Sequence, residues 1–232
     1  MTSWNDIHTE RAWGSWPDGA LVRFVKGSWM KGDQFLSLES PQVLELGYGA
    51  GGNLRLFGEE GVRASGIDIA PAARDRSIRR LNLWFPRAGN PASTFDLRVG
   101  DVRQLPWPDS YFDLVVDMEA ITCLEFDAAK EAYDEAWRVA SQGCFLFIRT
   151  LAEGTFSGEG AASQERSMVL PTDGPLKGTP PFRMTALHDI EELLGRWSIA
   201  SVEVESRTEG SERLISELIV TATKQVTDVF NK

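Results

Sequence analysis

Residues 42–52 read Gln-Val-Leu-Glu-Leu-Gly-Tyr-Gly-Ala-Gly-Gly, and this stretch decides the fold. Its first five residues form a short, mostly apolar run rich in strand formers. Glycines then alternate with other residues, and a periodic Asn-Leu-Arg-Leu-Phe segment follows. The pattern predicts a strand over 42–46, a glycine turn and a helix. Because glycine lets the backbone approach a ligand closely and a helix N-terminus offers free N–H groups, the turn is a candidate binding site.

The alternation of strand and helix continues along the chain. Apolar runs and turn residues predict further strands over 62–68, 94–99, 112–118, 144–148, 200–205 and 217–223. Helical periodicity and capping residues predict helices over 71–85, 128–139 and 185–197. Alternating β and α units are typical of a mostly parallel sheet wrapped by helices, and the last two strands fit an antiparallel edge.

Acidic residues stand at the ends of the first three predicted strands. Glu45 precedes the glycine turn, Asp68 ends the second strand, and Asp101 follows the third. In open α/β sheets the carboxyl ends of the strands form the ligand crevice. The glycines by themselves do not identify the ligand, because Gly47-x-Gly49-x-x-Gly52 followed by Asp68 also satisfies a dinucleotide fingerprint. A pyrophosphate, however, would be repelled by Glu45.

Four segments together resemble successive motifs of the class I S-adenosylmethionine-dependent methyltransferases: Glu45–Gly51, Gly66–Asp68, Gly100–Val102 and Phe112–Asp117. The resemblance covers about 42–150 well and the last strands loosely. It implies one α/β domain over 1–232 with a Rossmann-like seven-stranded sheet, in the order 3-2-1-4-5-7-6, with strand 7 antiparallel and helices on both faces. The sequence departs from the family at Tyr48, where a small residue or cysteine is common, and at 141–143, where Pro-Gly-Gly is usual.

The resemblance implies that the cofactor is S-adenosylmethionine and that the product is S-adenosylhomocysteine. In the family, the glycine turn holds the methionine moiety, the acid matching Asp68 holds the ribose, and residues matching Asp101 and Val102 frame the adenine. Tyr48 either packs on the loop or reaches the substrate. The expected cofactor-binding residues are Glu45, Gly47, Tyr48, Gly49, Gly51, Asn53, Asp68, Ile69, Asp101, Val102, Asp117 and Met118.

The acceptor should lie near the end of the fourth strand. Glu119 and His188 are the candidate general bases, although each could instead support a helix cap. Trp13 and Trp16 are candidates for capping the cofactor or substrate, because aromatic faces attract a sulfonium, or they simply pack in the core. They belong to an N-terminal helical cap over about 1–40, in which the first residues, with His8, are expected to fray.

A second covering element is expected over about 151–184. The segment 151–181 is rich in Gly, Ser, Thr and Pro and is too long for an ordinary connection. We interpret it as a lid or substrate loop. The chain is therefore expected to form one domain, in which the N-terminal helical cap and this segment cover the strand ends.

Composition limits the kinds of partner that the chain is expected to bind. A net charge of −10 makes a nucleic-acid partner improbable, and the absence of a long apolar run predicts a cytoplasmic protein without membrane contact. Two separated cysteines, Cys123 and Cys144, fit a reducing compartment, and no metal site is expected. The favoured function is methylation of O or N on a small-molecule or carbohydrate-like acceptor. The alternatives are a non-catalytic S-adenosylmethionine-binding module and, less favoured, a nicotinamide-dependent oxidoreductase; the oligomeric state is left open.

Overall fold

The fold is built on a mixed sheet of seven strands. A computed structural model describes residues 3–11, 14–86, 95–158, 166, 168–174, 177–210 and 213–225. The strand order is β3-β2-β1-β4-β5-β9-β8, with β9 antiparallel to both neighbours. This confirms the predicted order, since β8 and β9 are the sixth and seventh strands of the main sheet. The strands are β1 Gln42–Leu46, β2 Arg63–Asp68, β3 Phe95–Val99, β4 Phe112–Met118, β5 Ala140–Leu151, β8 Ser198–Glu209 and β9 Arg213–Thr223.

Helices cover both faces of the sheet. Alternate residues of β1 show why: Val43 packs in one apolar cluster and Leu44 and Leu46 in the other. The first cluster includes residues of α2, α4 and α5, and the second includes residues of α6 and α7. The helices are α1 Trp4–Glu10, α2 Gly19–Gly27, α3 Asp33–Leu36, α4 Leu54–Glu59, α5 Pro71–Trp84, α6 Phe126–Val139 and α7 Ile190–Leu194. Within the described ranges, no helix is long and apolar enough to cross a bilayer.

Residues 3–11 form a capped helix with a buried face, which corrects the expectation that His8 lies in a frayed segment. Ser3 and Asp6 form a reciprocal capping box at the start of α1, and Ile7 and His8 are buried. The helix is fastened to α5, where the amide of Ala72 donates to Asn5 Oδ1 at 3.0 Å. A capped helix with a buried face can be stable at this length because tertiary packing offsets its nucleation cost.

The helix predicted over 185–197 is wrong in its bounds. The Thr185 hydroxyl does not cap it, because that hydroxyl bonds to the Thr150 hydroxyl and accepts from Arg183 Nη1. The Thr185 amide donates to Leu151 O at 2.8 Å, and its carbonyl accepts from the Glu153 amide. A 3₁₀ turn over Leu187–Asp189 follows, and α7 spans only Ile190–Leu194. Pairing with the end of β5 therefore takes the backbone groups that a helix start would need.

Part of the expected lid is a small hairpin. The strands β6, Met168–Val169, and β7, Phe182–Arg183, are antiparallel. Buried apolar side chains of the hairpin and of Leu151 cluster against Cys123, which follows β4. The hairpin of β6 and β7 thus packs beside Cys123, after the end of β4, and the role of the segment over about 151–184 as a lid stays a prediction.

Candidate functional site

The glycine turn between β1 and α4 has a backbone that side chains rarely adopt. Gly47, Gly49 and Gly51 have φ of 68°, 50° and 78°. A Cβ on Gly47 would lie 2.3 Å from that of Ala120, and one on Gly51 would lie 2.9 Å from Ser77 Oγ. Glycine is therefore required here both by conformation and by close packing.

Glu45 is fully buried at the end of β1. Its Oε1 accepts a hydrogen bond from Asn53 Nδ2 at 2.8 Å. Its Oε2 has no hydrogen-bond partner among the described residues. Burial, together with the nearby charges of Asp68 and Asp117, raises the pKa of Glu45 to about 8 despite the bond from Asn53. A carboxyl with one buried oxygen to spare can accept a donor from a ligand.

Asp68 connects the end of β2 to the glycine turn. Its Oδ2 accepts from the Gly49 amide at 2.9 Å and its Oδ1 from the Ala70 amide at 2.8 Å. Burial raises the pKa of the carboxyl, and these two amides oppose the shift. The following residue, Ile69, is 59% exposed. Each carboxylate oxygen keeps further acceptor capacity, so the arrangement leaves room for hydroxyl donors.

Asp101 lies on the more open side of the same edge. Its carboxylate pairs with Arg103, with 2.6 Å between Oδ2 and Nη2, and accepts from the Arg103 amide. The hydrogen bonds from Arg103 hold the pKa of Asp101 below its usual value. Val102 packs against the core beside it. A ligand amine at this position would share the carboxylate with an arginine of the protein.

Tyr48 and Asn53 have structural contacts. The Tyr48 ring is buried against Gly66, where an added Cβ would lie 2.5 Å from Tyr48 Cδ1, and its hydroxyl donates to Arg98 O at 3.2 Å. Asn53 joins two segments, because its Nδ2 binds Glu45 and its Oδ1 accepts from the Asp18 amide at 2.9 Å. The Tyr48 side chain thus packs against β2 and β3, and Asn53 links Glu45 to the start of α2.

At the end of β4, Asp117 is used inside the protein. Its Oδ1 accepts from the amides of Ala120 and Ile121, and its Oδ2 accepts from the Tyr133 hydroxyl at 2.8 Å. Burial raises the pKa of this carboxyl to about 6 against those three bonds. Met118 is half-buried against the core. Asp117 therefore shapes the turn after β4, which places Glu119.

Glu119 shares a proton with a residue far away in the sequence. It has φ of 62°, and its amide continues the pairing of β4 with β5 by donating to Arg149 O at 2.8 Å. Burial, a hydrogen bond to Glu217 and the charge of Glu217 raise the pKa of Glu119 to about 8. Although burial acts to raise it, the bonds from Glu119 and Arg149 hold the pKa of Glu217 at about 2. At neutral pH the proton is therefore on Glu119.

Arg149 connects this acid pair to the N-terminal cap. Its Nη2 lies 2.5 Å from Glu217 Oε2, and its Nη1 lies 2.5 Å from Asp18 Oδ2. Glu217 and Arg149 were not among the expected site residues. The sequence gives only a weak signal for these two residues, because a charged residue in a strand ordinarily faces solvent. The register between β5 and β9 is what places Glu217 opposite Leu151.

Two of the remaining candidates, His188 and Trp16, contact charged residues of the protein. His188 is exposed, and its Nε2 lies 3.8 Å from Asp189 Oδ1. The Trp16 ring is 72% exposed, with the Arg55 guanidinium 3.9 Å above its centroid. Trp13 lies outside the described residues. The structure thus pairs Trp16 with a cation of the protein's own, and the role of His188 as a base stays a prediction.

His8, which sequence reasoning set aside, lies directly on the glycine turn. It is 7% exposed, and a Cβ on Gly49 would lie 3.3 Å from His8 Cε1. The charge of Asp68 acts on its imidazole. The signal that could have found it is the Ser3-x-x-Asp6 pattern, which predicts a helix start just before it. No cluster of three or more His, Cys, Asp or Glu with a metal-binding arrangement occurs among the described residues.

The site can now be compared with known proteins. A family model described as a methyltransferase domain matches residues 44–148. Malonyl-[acyl-carrier protein] O-methyltransferase of Serratia marcescens is 28% identical over 174 residues, which are 71% of this chain. The match spans 62% of that relative's length.

Solved structures share the fold. A S-adenosylmethionine-dependent methyltransferase from Methanosarcina mazei has a TM-score of 0.65 at 20% identity, over 83% of this chain and 96% of that one. A protein from Pyrococcus horikoshii has a TM-score of 0.68 at 16% identity, over 94% and 98% of the two chains. The methyltransferase-domain match over residues 44–148 and the sheet order together give the chain the fold of the class I S-adenosylmethionine-dependent methyltransferases.

The site's residues fit the cofactor of this family. The positive-φ glycines leave the backbone of the turn without side chains, and the spare oxygen of Glu45 provides a buried acceptor beside it. Asp68 is joined to the same turn, because its carboxylate accepts a hydrogen bond from the Gly49 amide. Acceptors surrounded by negative charge suit a ligand that carries an ammonium and a sulfonium.

Proposed function

We propose that the chain transfers a methyl group from S-adenosylmethionine to an oxygen or nitrogen of a small-molecule acceptor, of which a carbohydrate-like compound is one class. The observation that carries the proposal is the convergence of Glu45 and Asp68 on one glycine turn, with Asp101 at the same sheet edge. Nucleic acid is not the proposed partner, because the net charge is −10.

In this proposal the acids bind by their chemistry. Glu45 accepts from the ammonium of the cofactor's amino-acid moiety, and Asp68 accepts from the ribose hydroxyls. Asp101 accepts from the adenine amine, with Val102 and Ile69 against the ring. Gly47, Gly49 and Gly51 allow the backbone to approach the ligand. S-adenosylmethionine supplies an electrophilic methyl group, which an acceptor lone pair takes in line as the carbon–sulfur bond breaks and its electrons pass to sulfur.

The chain's contribution to transfer is alignment and exclusion of water, which supplies several kcal/mol in such reactions. The N-terminal segment and the hairpin of β6 and β7 would cover the reacting atoms. An acceptor hydroxyl or ammonium must also lose a proton, and Glu119 is the proposed base. Its pKa of about 8 means that only its ionised form, which prevails at alkaline pH, can accept that proton.

An oxygen acceptor should be tested first. The relative from Serratia marcescens is named as an O-methyltransferase of malonyl-[acyl-carrier protein]. A carboxylate acceptor would need no base, whereas a hydroxyl would. Loss of turnover in Glu119→Gln therefore separates a hydroxyl or ammonium acceptor from a carboxylate.

The proposal is tested by calorimetric titration with S-adenosylmethionine, S-adenosylhomocysteine and NADH. Asp68→Ala should weaken binding of the two sulfur compounds about ten-fold or more, since hydrogen bonds to a charged acceptor contribute roughly 1.5 to 3 kcal/mol. Asp134→Ala, an exposed aspartate on α6, is the matched control and should bind as the wild type does.

The outcomes discriminate among the candidate functions. Tighter binding of NADH than of either sulfur compound would contradict S-adenosylmethionine as the cofactor. It would favour a nicotinamide-dependent oxidoreductase instead. Unchanged affinity in folded Asp68→Ala would contradict the ribose contact. Binding of S-adenosylmethionine without methyl transfer to any member of a broad acceptor panel would favour a non-catalytic module.

A further inference from the structure

The N-terminal helix places an imidazole at the centre of the candidate cofactor site. The helix α1 packs on α5, and Ser77 of α5 donates to Gly49 O, so the last turn of α1 lies beside the glycine turn. His8 is buried there, and its Cε1 and Nε2 are the atoms nearest to where a Cβ on Gly49 would be, at 3.3 and 3.9 Å. The amide of Gly49 in turn donates to Asp68.

We infer that His8 is a positioning residue for cofactor binding, which fastens α1 over the Gly49 turn and fixes the carboxylate of Asp68 for the ribose. This inference rests on the proposed function and extends it to a residue outside the sheet. His8 acts through Asp68 and Gly49, which contact the ligand in the proposal.

The position of α1 is specified by several independent contacts. Asn5 Oδ1 accepts from the first turn of α5, and Arg76 donates to the carbonyls of Thr9 and Arg11 near the end of α1. Arg11 Nη2 donates to Lys177 O at 2.8 Å, which ties the helix to the covering segment. The His8 ring also lies 6.1 Å from that of Trp4. The imidazole is therefore held in place from both ends of its helix.

The charge of His8 determines how the packing of α1 on the glycine turn responds to pH. Burial lowers the pKa of His8, the charge of Asp68 on β2 opposes this shift, and the charge of Arg76 on α5 adds to it. The packed imidazole is accordingly neutral at pH 7. Acidification favours a protonated imidazole, which is best accommodated when α1 leaves the turn and the ring meets water. A ligand that needs α1 closed should then bind more weakly at acid pH.

The test is titration with S-adenosylhomocysteine between pH 5.5 and 8, which requires no turnover. The wild type should lose affinity on acidification below the His8 pKa of the ligand-free protein, by up to about ten-fold for each pH unit until the lower pKa of the complex is reached. His8→Gln should bind more weakly at pH 8 and should lose affinity less steeply on acidification than the wild type does. The loss that remains is the part contributed by Glu45, which Glu45→Gln removes. Glu10→Gln, an exposed change on the same helix, should keep the wild-type profile.

A direct readout follows the two histidines by NMR. The Cε1 proton of His8 should move on addition of S-adenosylhomocysteine, while the signal of exposed His188 serves as an internal reference. Wild-type affinity and an unchanged acid profile in His8→Gln would overturn the inference but leave the proposed function standing. Failure of the wild-type protein to bind either sulfur compound would instead reject the proposed function.

Discussion

At the scale of single residues, the crevice combines buried acids with opposite protonation states. Glu45 and Glu119 have pKa values of about 8, and Glu217 has one of about 2. Burial is the common cause of the first two, while Arg149 and the proton on Glu119 keep Glu217 ionised. Acids with the same intrinsic chemistry thus differ by environment, which gives each a different response to ligand and pH.

Glu45 should release a proton when the cofactor binds at pH 7. The carboxyl is largely protonated beforehand, and an adjacent ammonium would lower its pKa below 7. Calorimetry of S-adenosylmethionine binding in buffers of different ionisation enthalpy should therefore report about one proton released. Glu45→Gln retains an oxygen acceptor for Asn53 and should release none. Equal release by the variant would place the ammonium elsewhere.

The raised pKa of Glu119 predicts how turnover depends on pH. If it takes a proton from the acceptor, kcat should rise with pH and level off above about 8, where the carboxyl is ionised. Glu119→Gln can still donate to Glu217, so it should keep cofactor affinity while kcat falls about 100-fold or more. A rate that is highest at pH 6 and unchanged in the variant would exclude this role. His188→Gln tests the second candidate base in the same assay.

At the scale of elements, the strands and the glycine turn were predictable because their signals are local. An apolar run of five residues ending in glycines identifies β1 without knowledge of its neighbours. By contrast, the partner of Glu119 lies on β9, and only the sheet register brings Glu217 there. His8 was missed for a related reason, because a short polar helix gains its stability from α5 rather than from its own sequence.

Asp18 is the point where the N-terminal cap joins the sheet. It caps α2 by accepting from the amides of Ala20 and Leu21 and pairs with Arg149. Asp18→Ala should lower the free energy of unfolding by about 2 kcal/mol, since it removes both a helix cap and an ion pair. Asp18→Asn keeps the cap and should cost about half as much. Urea unfolding measures the two values, and equal losses in both variants would mean that the ion pair, not the cap, dominates.

At the scale of the whole molecule, buried carboxyls set the pH of greatest stability. A carboxyl whose pKa is raised by folding holds its proton more tightly in the folded protein, so its contribution is lost as pH rises from the unfolded value to the folded one. Glu45, Asp117 and Glu119 act in this way between about pH 4 and 8. Glu217 acts oppositely, and its contribution is lost as pH falls from about 4.5 to 2.

The cofactor-free protein should therefore be most stable near pH 5, below the neutral range. Between pH 5 and 8 the free energy of unfolding should fall, and Tm should fall with it, because these carboxyls hold their protons more tightly in the folded chain than in the unfolded one. Calorimetric Tm values from pH 3 to 9 measure the profile, and Glu45→Gln should flatten its alkaline side while leaving the acid side unchanged. A Tm that climbs steadily to pH 8 would mean that the crevice acids are ionised in the folded protein. Saturating S-adenosylmethionine should also flatten the alkaline side, because a bound ammonium stabilises ionised Glu45 and so removes the reason for the loss.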